Sequence, residues 1–306
     1  MKRLICTAAI LLILCVPAHG ADGLSIDEAM DMILERHGVE TEMDVSGYLT
    51  LDAGTMTREA AVTAVVRSFG VYPADEPDHV WADEAAQAEA YRPYIDYARR
   101  MGITEGTGGN RFAPDRTVTE WELRTMLARS DGIRPQYPLA YDSPLCRLLS
   151  ADIQRGLSLV PGFLVDSFYA EGRTITAATY PIVRNGVYLS ERYVGWIQYE
   201  GDMWLSVECD GEPYSHQDRT AIHEIGHYLG YRTALLDRNT APEERDWLIR
   251  RYRKYCNENN HEFFADSFVA YILWPEETAA NAPTVYQHIE RCLHEMKSDL
   301  EETNHE

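Results

Sequence analysis

Two of the chain's ten histidines lie four residues apart in the stretch AIHEIGHYLG, with a glutamate directly after the first. On a helix this spacing puts His223 and His227 on one face, with side-chain roots about 6 Å apart. Two imidazoles so placed can meet one zinc ion at about 2.0–2.1 Å each. Glu224 is turned about 100° from His223, so it can take a proton from a water beside the metal without becoming a ligand. Ile222, Ile225 and Leu229 give the helix an apolar stripe to bury while its histidines face a cleft. Gly226 weakens the helix but leaves room beside the metal. The plain alternative is an amphipathic helix that carries two surface histidines.

A catalytic zinc needs a third protein ligand and an open position. The longer pattern H-E-x-x-H-x-x-G-x-x-H is followed as far as Gly230, but Thr233 stands where its third histidine belongs. The ligand must come from elsewhere, and CNENNHEFFADSFVAYILW (Cys256 to Trp274) offers it. Glu262 and Asp266 share a helical face there, beside Phe263, Phe264, Phe268 and Ile272, which can pack towards a core. With Glu262 as ligand and Asp266 accepting a hydrogen bond from a ligand imidazole, a two-His-one-Glu set is complete. His261 is the rival ligand, about 100° around the helix from Glu262.

The elements that must position these groups can be read from the same half. CRLLSADIQRGLSLV reads as a helix, and Pro161 opens a second one, PGFLVDSFYAEG. TITAATY, NGVYLS, YVGWIQYEG and MWLSVEC are rich in β-branched and aromatic residues and broken by turn residues, so they read as strands. Helices, a small sheet, then the motif helices make an α+β domain over residues 146–306. Ahead of it, GIRPQYPLAYDSP carries prolines and little periodicity, and predicts a linker over 134–145. A module separated in this way should be removable without loss of the site's chemistry.

The first half repeats itself. TMTREAAVTAVVRSFGV (Thr55 to Val71) aligns with TVTEWELRTMLARSDGI (Thr117 to Ile133), and Thr57 and Thr119 can each cap a helix. Two copies are evident, over 21–133. GTGG (Gly106 to Gly109) is a turn rather than a phosphate cradle, since no Gly-Lys-Ser/Thr follows it.

Residues 1–20 have the pattern of an export signal. Lys2 and Arg3 precede an apolar run from Leu4 to Val16, then Ala18-His19-Gly20 offers a small-x-small cleavage site. Leu14 is too bulky for a lipoprotein signal ending at Cys15, and no other stretch is long and apolar enough to span a bilayer. A formal charge of −21 argues against nucleic acid as a partner. Beyond the signal, Cys146, Cys209, Cys256 and Cys292 permit disulfides in an exported chain, with Cys256 to Cys292 favoured.

The repeated cap, helix and glycine turn, with Phe112 and Pro114 leading into the second cap, resemble the S-layer homology module. That module anchors exported proteins to bacterial cell-wall polysaccharide. Its Thr-Arg-x-Glu signature is incomplete here. The first copy keeps Thr57 and Arg58 but has Ala60, and the second keeps Thr119 and Glu122 but has Glu120 for the arginine. In the second half, HEIGH, YCNENNHEFFADSF and NAPTVYQHIE resemble the anthrax lethal factor-like zinc metallopeptidases, a group that includes the secreted Pro-Pro endopeptidases. The resemblance implies a zincin-like fold, zinc bound by His223, His227 and Glu262, and Glu224 as general base. It also implies that Tyr255, seven residues before Glu262, supports the reaction's oxyanion. Asp266 stands where that family often has glutamate.

The expectation is therefore a secreted or wall-associated zinc endopeptidase acting on extracellular protein or peptide, with a proline preference implied by kinship alone. The same resemblance implies that substrate would lie extended along MWLSVEC by strand addition. A wall-binding protein with an inactive peptidase-like domain and a secreted toxin-type protease are the competing expectations.

Overall fold

The computed structural model describes residues 23–40, 43–49, 51, 54–75, 77–180, 182–184, 187–190, 194–253 and 258–303. The expected export signal, Tyr255 and Cys256 lie outside the described residues.

Side-chain caps set the helices of the first half. Ser25 starts α1 (Ile26–His37) with a capping box, its hydroxyl accepting from Glu28 N while the Glu28 carboxylate accepts from Ser25 N. Thr57 starts α2 (Arg58–Ser68). α3 (Arg92–Arg100) follows, and Thr119 with Glu122 boxes the start of α4 (Glu120–Arg129). The residue before each cap is apolar and buried: Leu24, Met56 and Val118. Their backbones close a three-way ring. Met56 N donates to Leu24 O at 2.9 Å, Val118 N to Met56 O at 2.9 Å, and Leu24 N to Val118 O at 3.1 Å. Three cap-and-helix segments thus meet where two were expected, and the third is the stretch that begins at Leu24. The divided signature is also reunited in space. Arg58 from the first copy reaches Glu122 of the second at 3.3 Å, in a largely buried pair.

The segment expected as a linker contributes to the sheet instead. Within it, β1 (Leu139–Tyr141) pairs in parallel with β2, Leu139 opposite Ile175. Between them run α5 (Pro144–Leu148), α6 (Ala151–Leu159) and α7 (Gly162–Ala170), leading to β2 (Ile175–Ala178). The hairpin of β3 (Ile182–Arg184) and β4 (Val187–Ser190) follows, then β5 (Gly195–Ile197) and β6 (Met203–Ser206). The main sheet has the order β1-β2-β6-β5, parallel except for β5, which runs antiparallel to β6. A small hairpin, β7 (Glu208–Cys209) and β8 (Glu212–Pro213), leads into α8 (Gln217–Arg232). α9 (Pro242–Arg251), α10 (Asn260–Leu273), α11 (Pro275–Asn281) and α12 (Pro283–Thr303) complete the chain.

The architecture mixes helices with a small sheet and is α+β. One continuous apolar core runs from Leu24 in the first half to Met296 in the last helix. Across the seam, Arg67 of α2 meets Asp152 of α6 at 3.1 Å, buried, and Tyr48 donates to Leu149 O at 2.7 Å. Among the described residues no helix is long and apolar enough to cross a membrane.

Candidate metal centre

α8 is enclosed along most of its length, flanked by α6 and α10. A methyl group on Gly226 would sit 3.0 Å from Ala265 Cα and 3.1 Å from Phe268 Cβ. The glycine therefore lets α8 and α10 approach closely; it does not open space beside the metal, as had been expected. The start of α10 is fixed by Asn259, whose side chain accepts from His261 N at 2.8 Å and Glu262 N at 3.0 Å. That cap sets Glu262 in the first turn, while Phe263, Phe264 and Phe268 are buried.

The two helices bring three ligand groups together. Nε2 of His223 lies 3.2 Å from Glu262 Oε2, and Nε2 of His227 lies 3.6 Å from Glu262 Oε1. One donor atom from each of the three falls within 4.8 Å of the others. Ligands held tetrahedrally at zinc distances sit about 3.3 Å from one another, so this set of two nitrogens and one oxygen fits the ion. Glu262 Oε2 is buried and without a hydrogen-bond partner, as a ligand atom lacking its cation would be.

Behind this set, Asp266 is 1% exposed, and its Oδ1 lies 2.8 Å from His223 Nδ1. The imidazole thereby gives Nδ1–H to the carboxylate and turns Nε2 towards Glu262. Arg253 also holds Asp266, its Nε donating at 3.0 and 3.1 Å and its Nη2 at 2.5 Å, and the same Nη2 lies 3.1 Å from His223 Nδ1. Burial alone would make His223 less basic, but the carboxylates of Asp266 and Glu262 raise it to about 9. Burial likewise opposes ionisation of Glu262, yet the imidazoles of His223 and His227 hold it well below the usual carboxylate range. Glu224 moves the other way. Its burial pushes the carboxyl up, against the pull of His227 and His223.

These groups line a cleft of about 800 Å³ between α8, the first turn of α10 and β5. A Cβ on Gly195 of β5 would overlap Glu224 Oε1 and Thr220 Cγ2, so only glycine lets the strand pass this close to the glutamate. β5 is one edge strand of the sheet, and β1 is the other. MWLSVEC, expected to receive substrate by strand addition, supplies β6, and both edges of β6 are already taken by β2 and β5. The edge of the sheet beside the cleft belongs to β5, and a strand added there would meet it rather than β6.

His261 is exposed and packs beside Tyr231 at 5.7 Å between rings, outside the ligand set. Sequence reasoning missed several lining residues. Tyr231 stacks on His227 at 6.0 Å and follows it by one helical turn, a spacing that was there to be used. Arg253 sits in a turn after α9 with no periodicity to reveal it. Tyr252, beside Trp274, also lines the cleft. Cys146, Cys209 and Cys292 carry free thiols, and Cys292 Sγ lies 3.6 Å from Ala234 O; the Cys256–Cys292 pairing favoured from the sequence involves a residue outside those described.

Comparison with known families identifies an S-layer homology domain at residues 84–120. The match takes in α3, the glycine turn and the cap of α4. Such domains typically bind cell-wall polysaccharide, and this one indicates association with the cell surface or cell wall. A search of curated proteins returned no match.

Proposed function

We propose that the chain is a zinc-dependent endopeptidase held at the cell surface by its S-layer homology segment, with a zincin-like catalytic half related to the lethal factor-like peptidases. The convergence of His223 and His227 Nε2 on the Glu262 carboxylate, beside buried Glu224 in a cleft, carries this reading. A mixed sheet with an antiparallel outer strand beside the motif helix is consistent with it.

His223, His227 and Glu262 would hold one zinc ion, which when bound supplies Lewis acidity to the scissile carbonyl and to a water. The peptide adds to the outer edge of β5 through main-chain hydrogen bonds, as an extended strand. Glu224 takes the water's proton on a carboxylate oxygen and returns it to the departing amine nitrogen. Burial suits it to this exchange by making the carboxylate a stronger base than usual. Asp266, itself held by Arg253, keeps His223 oriented. Tyr255, by family resemblance, donates to the oxyanion.

Metal analysis and a peptide library test the proposal together. One zinc per chain, with chelator-sensitive cleavage of some library members, is the expected result. A chain that binds wall polymer, holds no zinc and cleaves nothing would be the wall-binding protein with an inactive peptidase-like half.

A further inference from the structure

Arg219 stands one helical turn before His223, in the first turn of α8, and lines the same cleft. Its neighbours in this half are committed. Arg155 pairs with Asp218, Arg173 with Glu171, Arg251 with Glu277 and Arg253 with Asp266. Among the described residues no carboxylate pairs with Arg219. The adjacent Asp218 is turned to Arg155 on α6, at 2.6 Å. Half-buried Arg219 is steadied by the ring of Trp274, whose centroid lies 5.8 Å from its Cζ. A cation at a helix N-terminus also opposes the helix dipole, so fold stability gives no reason for this placement.

The surroundings favour an anion there. Tyr214, His216 and Thr220 complete this end of the cleft, and Thr220 Oγ1 lies 3.4 Å from the Tyr214 hydroxyl. None of the four can carry negative charge at neutral pH. Further along α8, Glu224 and Glu262 lie by His223 and His227, and Glu258, Tyr231 and His261 complete the lining. The cleft is therefore polarised along α8, in a chain whose formal charge is −21. The positive end of the helix dipole, the uncommitted guanidinium and the tyrosine hydroxyl all suit one carboxylate.

We propose that this end of the cleft is a subsite for a substrate carboxylate and that Arg219 sets the specificity. The inference rests on the peptidase reading above and names its substrate class: peptides with an Asp or Glu side chain, or a free chain end, within about two residues of the scissile bond. One helical turn of about 5–6 Å between Arg219 and His223 matches the distance spanned by about two extended residues.

Binding and turnover test it separately. Full-length zinc-loaded protein carrying Glu224→Gln is titrated calorimetrically with capped peptides in which Glu or Gln is walked through each position. The same peptides are offered to the active protein, and a second arm compares free with amidated C-termini. The expected result is about tenfold to a hundredfold tighter binding of the carboxylate form in one register or at the chain end. Adding Arg219→Gln to the titrated protein should bring that ratio close to one, Arg219→Lys should keep part of it, and Arg219→Glu should favour a Lys peptide. A side-chain gain and a chain-end gain both support the subsite and distinguish its source. Equal binding of Glu and Gln in every register, with no chain-end effect, would overturn it, as would a ratio that Arg219→Gln leaves untouched. Cleavage without acidic preference removes the subsite and leaves the peptidase. Arg219-dependent acidic binding with no cleavage of any peptide does the reverse.

Discussion

Two of the buried ionic clusters of this protein resemble each other in composition and differ in balance. At the seam between the halves, Arg67 faces Asp152, whose carboxylate also lies 4.0 Å from Arg155, with Tyr94 accepting from Arg67 at 2.9 Å and Tyr48 under the guanidinium. Around His223, the carboxylates of Glu224, Glu262 and Asp266 stand with two histidines and the guanidinium of Arg253, while Arg219 lies at the far end of the cleft. Buried charge is costly unless paired. A balanced pair can be there to join two surfaces. Among the described residues the carboxylates around His223 outnumber the guanidinium beside them, and the donor geometry of His223, His227 and Glu262 leaves a place for a cation.

The largest test of this contrast is Glu224→Gln. It should lower turnover by about 10²–10⁴ while zinc content, measured on the purified protein, stays at one per chain. The same change should raise the melting temperature of the metal-free protein, because it removes one of the surplus charges. Loss of metal instead would make Glu224 a ligand. A lowered metal-free melting temperature would mean that the cleft is already balanced.

The seam should respond in the opposite sense. Arg67→Ala removes the closer partner of Asp152, leaving only Arg155 at 4.0 Å, and should cost about 3 kcal/mol, read from denaturant unfolding. Replacing both residues by Met and Leu should recover most of that loss. Removing residues 21–133 is therefore expected to unfold or aggregate the second half, contrary to the expectation of a separable module. A truncated chain that is folded and active would show the seam to be incidental.

Gly195→Ala perturbs the cleft without touching its charges. The new methyl displaces the end of the Glu224 side chain, so turnover should fall by about 10–10² with zinc retained and the melting temperature little changed. Unaltered kinetics would mean that the strand has slack at this point.

Local signals account for what the sequence revealed, and long-range pairing for what it hid. Histidine spacing, the Glu262–Asp266 pair, the threonine caps and the strand segments all follow from neighbours in the chain, and each could be read directly. β1 has three residues in a proline-bearing segment, and its strand character comes from Ile175 and its neighbours, far along the chain. Which strand is outermost is a matter of topology, so MWLSVEC was misassigned as the docking edge. Arg253 reaches Asp266 from an irregular turn, where no period marks it. The cap at Ser25 was different: its S-x-x-E pattern was present, but its helix shares too little sequence with the other two to align with them.

The smallest expected effect belongs to the seam and comes from a proton. His37 ends α1, with Nε2 3.0 Å from Ser68 Oγ and its ring edge-on to Phe69 at 4.7 Å. Burial, helped by the charges of Arg147 and Arg36, lowers its pKa to about 4. Unfolded, the same imidazole titrates near 6.5, so between the two values the unfolded chain binds more protons than the folded one. Stability then rises with pH, and the contribution is complete above about 6.5 and lost as pH falls towards 4. For a group partly open to solvent this amounts to something on the order of 2 kcal/mol. Urea midpoints at pH 7.5, 6 and 5 should fall more steeply in the native chain than in His37→Gln, since both share every carboxylate and differ only in this imidazole. Parallel slopes would mean that His37 is protonated in the folded protein and that the seam tolerates a second kind of charge.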